Sequence, residues 1–154
     1  MRRAGEWLPR SDPLAYAVQV LDPGRTDNLA VEPVCPLVMV VDDDDEIREA
    51  LVDVLSDRGY RIVSAADGQQ ALERLRAGPR PSAIFFDLWM PVMDGWQLLE
   101  ELQQDPALSH IPRVVLTAAR GPRARDLNVA EVLTKPVRLE HVLGLVERLT
   151  AQGC

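Results

Sequence analysis

The sequence predicts an α/β domain built as five β/α units on a doubly wound parallel sheet, and three observations lead to it. From Leu37 onward, short apolar runs alternate with amphipathic segments, the order expected when strands and helices are layered on a parallel sheet. Runs such as Leu37 to Val41 and Ala83 to Phe86 are continuously apolar, which suits strands covered on both faces. Four of the five runs stop against a residue able to do chemistry, namely Asp42, Asp87, Thr117 and Lys135.

The elements follow in order. Leu37 to Val41 is the first strand. Ile47, Ala50, Leu51, Val54 and Leu55 recur at helical spacing, and Gly59 supplies a C-terminal stop. Tyr60 to Ala65 forms the second strand. Asp67 caps a second helix carrying Ala71, Leu72 and Leu75, which ends at Gly78 and Pro79. Ala83 to Phe86 is the third strand, and Leu98, Leu99 and Leu102 mark the third helix. Arg113 to Thr117 and Val129 to Thr134 are the fourth and fifth strands, and Leu139, Val142, Leu143, Val146 and Leu149 mark the last helix. Between Ala118 and Asn128 only Leu127 offers much apolar anchorage, and Gly121 and Pro122 fall where a helix should start, so the fourth helix is expected to be short or irregular.

Residues 1–36 hold 5 of the 12 prolines and no sustained period. They are expected to be a flexible N-terminal extension, with the folded domain over 37–154.

Composition bounds the function. The chain has 154 residues, 47% hydrophobic and 27% charged, which excludes disordered and fibrous classes. Its net charge of -7 leaves no basic face for phosphate contacts beyond a short Arg120, Arg123 and Arg125 group, so direct nucleic-acid binding is not expected. That group is read as a solvated loop, with a docking patch for an acidic partner as the other possibility. No apolar run reaches the roughly 18 residues of a membrane span, and Glu6, Pro9, Arg10 and Asp12 interrupt any leader after Met1. A cytoplasmic protein without membrane insertion is expected. Cys35 and Cys154 offer neither a disulfide framework nor metal spacing, and both are expected to be free thiols. Of 17 basic residues 16 are Arg, so the single lysine, Lys135, calls for an explanation.

In an open parallel sheet, ligands collect at the C-terminal edges of the strands. There the order of elements gathers Asp42, Asp43, Asp87, Thr117 and Lys135. Carboxylates crowded at one edge require a compensating cation, and hard oxygen ligands suit Mg2+ or Mn2+. A carboxylate can also be a nucleophile toward phosphorus, with a metal and an ammonium neutralising the phosphoryl oxygens. Asp87 is placed as that nucleophile, Lys135 as the ammonium and Thr117 as a hydroxyl donor.

Each residue alone has a plainer reading. The run Asp42 to Glu46 suits a helix N-terminus. Asp87 alone could be a strand-end cap, Thr117 a β-former and Lys135 a surface charge; their joint placement favours a site. The acidic run lacks the glycine of an EF-hand loop, with Ile47 in its place, and neither a P-loop nor GxGxxG occurs. His110 and His141 are isolated and read as surface or helix positions rather than metal ligands or nucleophiles. Trp96 reads as packing and Trp89 as exposed at the site.

Together the segments VMVVDDDDEIREAL, AIFFDLWMPVMDGWQLLEEL, VVLTAA and VLTKP resemble the receiver domain of bacterial two-component response regulators over roughly Leu37 to Leu149. The intervals of 44 residues from Asp43 to Asp87 and 30 from Asp87 to Thr117 are also those of the chemotaxis-type receiver. The resemblance implies a flavodoxin-like (βα)5 fold with strand order 2-1-3-4-5. It implies that Asp87 accepts a phosphoryl group from a phosphohistidine on a histidine kinase or histidine phosphotransfer protein. Asp42, Asp43, Asp87 and the Trp89 backbone carbonyl would hold Mg2+ or Mn2+, Thr117 and Lys135 would contact the phosphoryl group, and the Lys135–Pro136 bond would be cis. The face made by the fourth helix, fifth strand and last helix would then be switched for an unknown output protein, in a monomer or a phosphorylation-dependent dimer. With few residues after the last helix, a stand-alone receiver is expected.

Three departures stand out. Val132 occupies the place of the usual aromatic switch residue, Thr117 and Lys135 are 18 residues apart, about four fewer than in the chemotaxis type, and bulky Trp89 and small Ala119 stand two residues beyond the acceptor and switch positions. The missing aromatic keeps open an alternative, a phosphorylation-independent adaptor. An aspartyl phosphatase of the haloacid dehalogenase type is disfavoured, because Asp87-Leu88-Trp89 lacks a second acid two residues on.

Overall fold

A computed structural model describes residues 35–118 and 127–150. The N-terminal extension up to residue 34, most of the expected fourth helix with its arginine group and Ala119, and the last four residues lie outside the described residues. Nine elements are seen: β1 (Leu37–Val41), α1 (Asp45–Asp57), β2 (Arg61–Ala65), α2 (Gly68–Ala77), β3 (Ala83–Asp87), α3 (Gly95–Gln104), β4 (Arg113–Thr117), β5 (Glu131–Thr134) and α4 (Leu139–Thr150). The five strands are all parallel in the order β2-β1-β3-β4-β5, as expected.

Alternating side chains of each strand enter two cores. Val38, Val40, Phe85, Val114 and Leu116 pack with Leu51 and Leu55 of α1 and Val142, Leu145 and Val146 of α4. On the opposite face Met39, Val41, Ile84, Phe86 and Val115 pack with Ala71, Leu72 and Leu75 of α2 and Leu98, Leu99 and Leu102 of α3. Each such Val, Leu, Ile, Phe or Met side chain removed from water stabilises the fold by about 1.5–3 kcal/mol before conformational entropy is counted. The stripe on α1 is narrower than its sequence period suggests, since Ala50 is exposed.

Asp44, Asp67 and Asp94 cap the first three helices through their side chains, and Asp94 with Gln97 forms a reciprocal capping box. Gly59 ends α1 with φ of 91°, a conformation that favours glycine. β2 begins one residue later than expected, and Tyr60 is buried ahead of it. β5 begins at Glu131, because the Val129 N–H is turned back onto Leu127 O.

Cys35 corrects the expectation of free thiols: it is disulfide-bonded, and the other cysteine of the chain lies outside the described residues. No helix among the described residues is long and apolar enough to cross a membrane.

Candidate functional site

The strand order brings the candidate residues to one edge. Asp42 follows β1, its N–H bonded to Ala65 O at 3.2 Å, while Asp87 is the last residue of β3 and pairs in register with Leu116 of β4. Thr117 comes one step later, and the Lys135 N–H after β5 donates to Thr117 O at 3.0 Å. Thr117 is fully buried there.

The centre is a three-way ionic contact. Lys135 Nζ donates to Asp42 Oδ2 at 2.8 Å and to Asp87 Oδ2 at 2.7 Å, with Asp42 wholly buried and Asp87 7% exposed. An ammonium between two desolvated carboxylates relieves their repulsion and satisfies one oxygen of each. Carboxylate oxygens of Asp42, Asp43 and Asp87 lie within 4.8 Å of one another, with Asp43 on the exposed side. Three hard oxygen donors converging at that spacing fit a small divalent cation.

Burial pushes the Asp42 carboxyl above its usual range, and the hydrogen bonds from Lys135 and the Asp44 N–H offset this only in part. For Lys135, burial favours the neutral amine, but the hydrogen bonds to Asp42 and Asp87 and their charges prevail and raise its pKa. Lys135 is therefore a firmly charged cation.

The acidic run divides its labour. Asp42 and Asp43 face the cluster, Asp44 caps α1 by accepting from the Glu46 and Ile47 N–H groups, and Asp45 pairs with Arg48. Arg48 also donates from Nη1 to Asp42 O at 2.7 Å. Both readings of the run hold, on different residues.

The β3–α3 loop aims Asp87. The Trp89 N–H donates to Asp87 Oδ1 at 3.1 Å, and the Gly95 N–H closes the loop on Leu88 O at 2.9 Å. A Cβ on Gly95 would lie 2.4 Å from Asp87 O, so only glycine permits this approach. From outside, the Gly68 N–H at the start of α2 donates to Met93 O at 2.9 Å. Sequence reading missed the Trp89 N–H, the Arg48 contact and the Gly68 tie, because each depends on tertiary geometry; Gly95 next to its capping aspartate was the one available signal. Trp89 is 61% exposed, Trp96 packs against the core, His110 and His141 are exposed, and Lys135–Pro136 is cis, all as expected.

Comparison with known proteins agrees with this arrangement. The family profile described as "Response regulator receiver domain" matches residues 38–147. The two-component response regulator ORR11 of Oryza sativa subsp. indica is 32% identical over 118 residues, 74% of this chain and 80% of that protein. The chemotaxis response regulator CheY4 of Vibrio cholerae, known from a high-resolution structure, is 28% identical with a TM-score of 0.68, over 75% of this chain and 98% of that one. In fold the chain is also similar, at a TM-score of 0.69 and 24% identity over 77% of its length and 99% of the other, to the receiver domain of sensor histidine kinase PA1611 from Pseudomonas aeruginosa PAO1, solved with a magnesium ion in its active site cleft. With its profile match, strand order and ionic edge cluster in agreement, the chain belongs to the response regulator receiver domain family.

Proposed function

We propose that the chain is a phosphoryl-accepting signalling switch in which Asp87 is the acceptor. The observation that carries this is Lys135 Nζ held at 2.8 and 2.7 Å between Asp42 and Asp87. An Asp87 carboxylate oxygen attacks phosphorus, the P–N bond of a phosphohistidine breaks, and the leaving imidazole nitrogen keeps the electron pair. Lys135 lies within reach to follow the negative charge from the carboxylate to the phosphoryl oxygens, and the Thr117 hydroxyl is the further donor. The Trp89 N–H holds Asp87 Oδ1, which leaves the attacking carboxylate a single orientation.

Asp42, Asp43 and Asp87, with the Trp89 carbonyl, are the residues that would hold Mg2+ or Mn2+. When bound, such an ion supplies positive charge against the phosphoryl oxygens. The donor set suits it, since all four ligands are hard oxygens.

The donor partner is a histidine kinase or histidine phosphotransfer protein, and the output is another protein that reads β5 and α4. Val132 on β5 packs against the core cluster, so a switch at this face has no aromatic rotamer to use. Trp89, exposed two residues past the acceptor, shields the acyl phosphate from water and lengthens its life. A slower decay in Trp89→Asn than in the native chain would refute that role.

The test is incubation with acetyl phosphate, with and without Mg2+, beside Asp87→Asn. Metal-dependent incorporation into the native chain and none into the variant is the expected result. Failure of incorporation with Mg2+ bound, repeated with a histidine-kinase donor, would favour the adaptor reading instead.

A further inference from the structure

The helix that carries Arg48 does not explain where its side chain goes. Arg48 is the fourth residue of α1, close to the end at which the helix dipole disfavours a cation. Its side chain is nonetheless drawn back over the β1–α1 turn and is only 17% exposed. There Nη1 donates to Asp42 O at 2.7 Å, while Nη2 holds the Asp45 carboxylate. The planar guanidinium gives each acceptor its own nitrogen, in a fork that loses little freedom on forming both contacts.

The three clustered carboxylates are held unequally. Asp42 accepts from Lys135 Nζ at Oδ2 and from the Asp44 N–H at Oδ1, at 2.8 and 3.0 Å. Asp87 accepts from Lys135 Nζ and from the Trp89 N–H. The exposed Asp43 carboxylate has no hydrogen bond among the described residues, so its aim is set by the two peptide groups that flank it. The peptide after Asp43 presents the Asp44 N–H that Asp42 Oδ1 accepts; the peptide before it presents the Asp42 carbonyl that Arg48 holds. Of the groups that fix these two peptides, only Arg48 lies outside the cluster.

We infer that Arg48 is a positioning residue for the divalent cation, acting through the Asp42–Asp43 peptide and not through its charge. This rests on Asp42, Asp43 and Asp87 being the cation site. The two modes of action have opposite signs. A guanidinium beside three carboxylates repels an incoming Mg2+ or Mn2+, so by charge alone its removal, which also releases Asp45, should tighten binding. Loss of the carbonyl contact instead frees the peptide that aims Asp43, leaving that ligand to be ordered when the cation binds, and weakens binding. Asp45 is 75% exposed, where water and salt screen its charge, so the loss of order prevails.

The test is titration of the full chain with Mn2+, free ion being read by electron paramagnetic resonance, in the native protein, Arg48→Met, Arg48→Lys and Asp45→Asn. Cooperative melting in EDTA verifies that each variant is folded, and Arg48→Lys carries the test should Arg48→Met not fold. Binding roughly tenfold weaker is expected in Arg48→Met, which removes both donors, with an intermediate loss in Arg48→Lys. Asp45→Asn gives up the ion pair and keeps the carbonyl contact, so its affinity should stay within about threefold of native. Labelling of Arg48→Met by acetyl phosphate should be slow at limiting Mn2+ and recover as Mn2+ is raised. Native affinity in Arg48→Met would overturn the positioning role, and tighter binding would assign Arg48 to charge alone. An equal loss in Asp45→Asn would overturn it too, by placing the effect in the ion pair, as would labelling that stays slow at saturating Mn2+. A native chain that binds no Mn2+ would remove the cation site itself, and this role with it.

Discussion

The two edges of this sheet both bury charge, and they treat it differently. At the C-terminal edge Asp42, Asp87 and Lys135 are desolvated together, and each finds a partner. At the N-terminal edge Arg113 is 8% exposed at the start of β4, and its Nε and Nη1 have no hydrogen-bond partner among the described residues. Burial lowers its pKa with nothing to offset the effect. The Tyr60 hydroxyl ahead of β2 is similarly orphaned. Burial alone therefore does not mark a functional charge; convergence does. The paired edge should be costly to break, and the orphaned edge should improve when its polar groups are removed.

The largest effect is expected from Lys135→Met. Two buried carboxylates would then face each other without their shared donor, and the loss should be about 3–5 kcal/mol in the metal-free protein. Urea unfolding in EDTA measures it, and added Mg2+ should recover part of it. A loss below 1 kcal/mol would mean that the ion contact contributes little to the fold.

Gly95→Ala tests whether the paired edge depends on the backbone that aims it. Its Cβ would lie 2.4 Å from Asp87 O and 2.7 Å from Leu88 Cα, both backbone atoms that cannot rotate aside. A destabilisation of about 3 kcal/mol is expected, together with slower acetyl phosphate labelling, because Asp87 moves with its own carbonyl. Native labelling in a destabilised variant would separate the loop's packing from its aim.

Much of this edge was legible beforehand. Continuous apolar runs are unambiguous when strands are buried on both faces, and a parallel sheet leaves no choice about which strand ends meet. A lone lysine in an arginine-rich chain identified the cation. The Trp89 N–H on Asp87 was not legible, because backbone donors carry no sequence signature. The division of Asp42 to Asp45 into ligands, cap and ion-pair partner was not legible either, since identical side chains are separated only by where α1 begins. Arg113 read as an ordinary strand residue. Its burial depends on alternation, which puts position 113 on the same face as Val115, in the core shared with α2 and α3.

Arg113→Met sharpens the contrast from the other edge. A flexible apolar side chain of similar length keeps the packing and removes two unsatisfied donors, so a gain of about 1–3 kcal/mol is expected, with labelling of Asp87 unchanged. A loss on substitution would show that the guanidinium is solvated or paired in solution, and the difference between the edges would shrink accordingly.

The smallest effect separates glycines in the same way that the larger ones separate charges. Gly144 lies inside α4, exposed, and a Cβ there would meet nothing within 4 Å. Nothing in the site depends on it, so Gly144→Ala should only reduce the freedom of the unfolded chain and favour the helix, by about 0.5–1 kcal/mol. Thermal unfolding of Gly144→Ala beside Gly95→Ala is the check. Opposite signs are expected because one glycine faces solvent and the other faces the carbonyl of Asp87; equal signs would mean that crowding at the acceptor loop does not decide which glycines the chain needs.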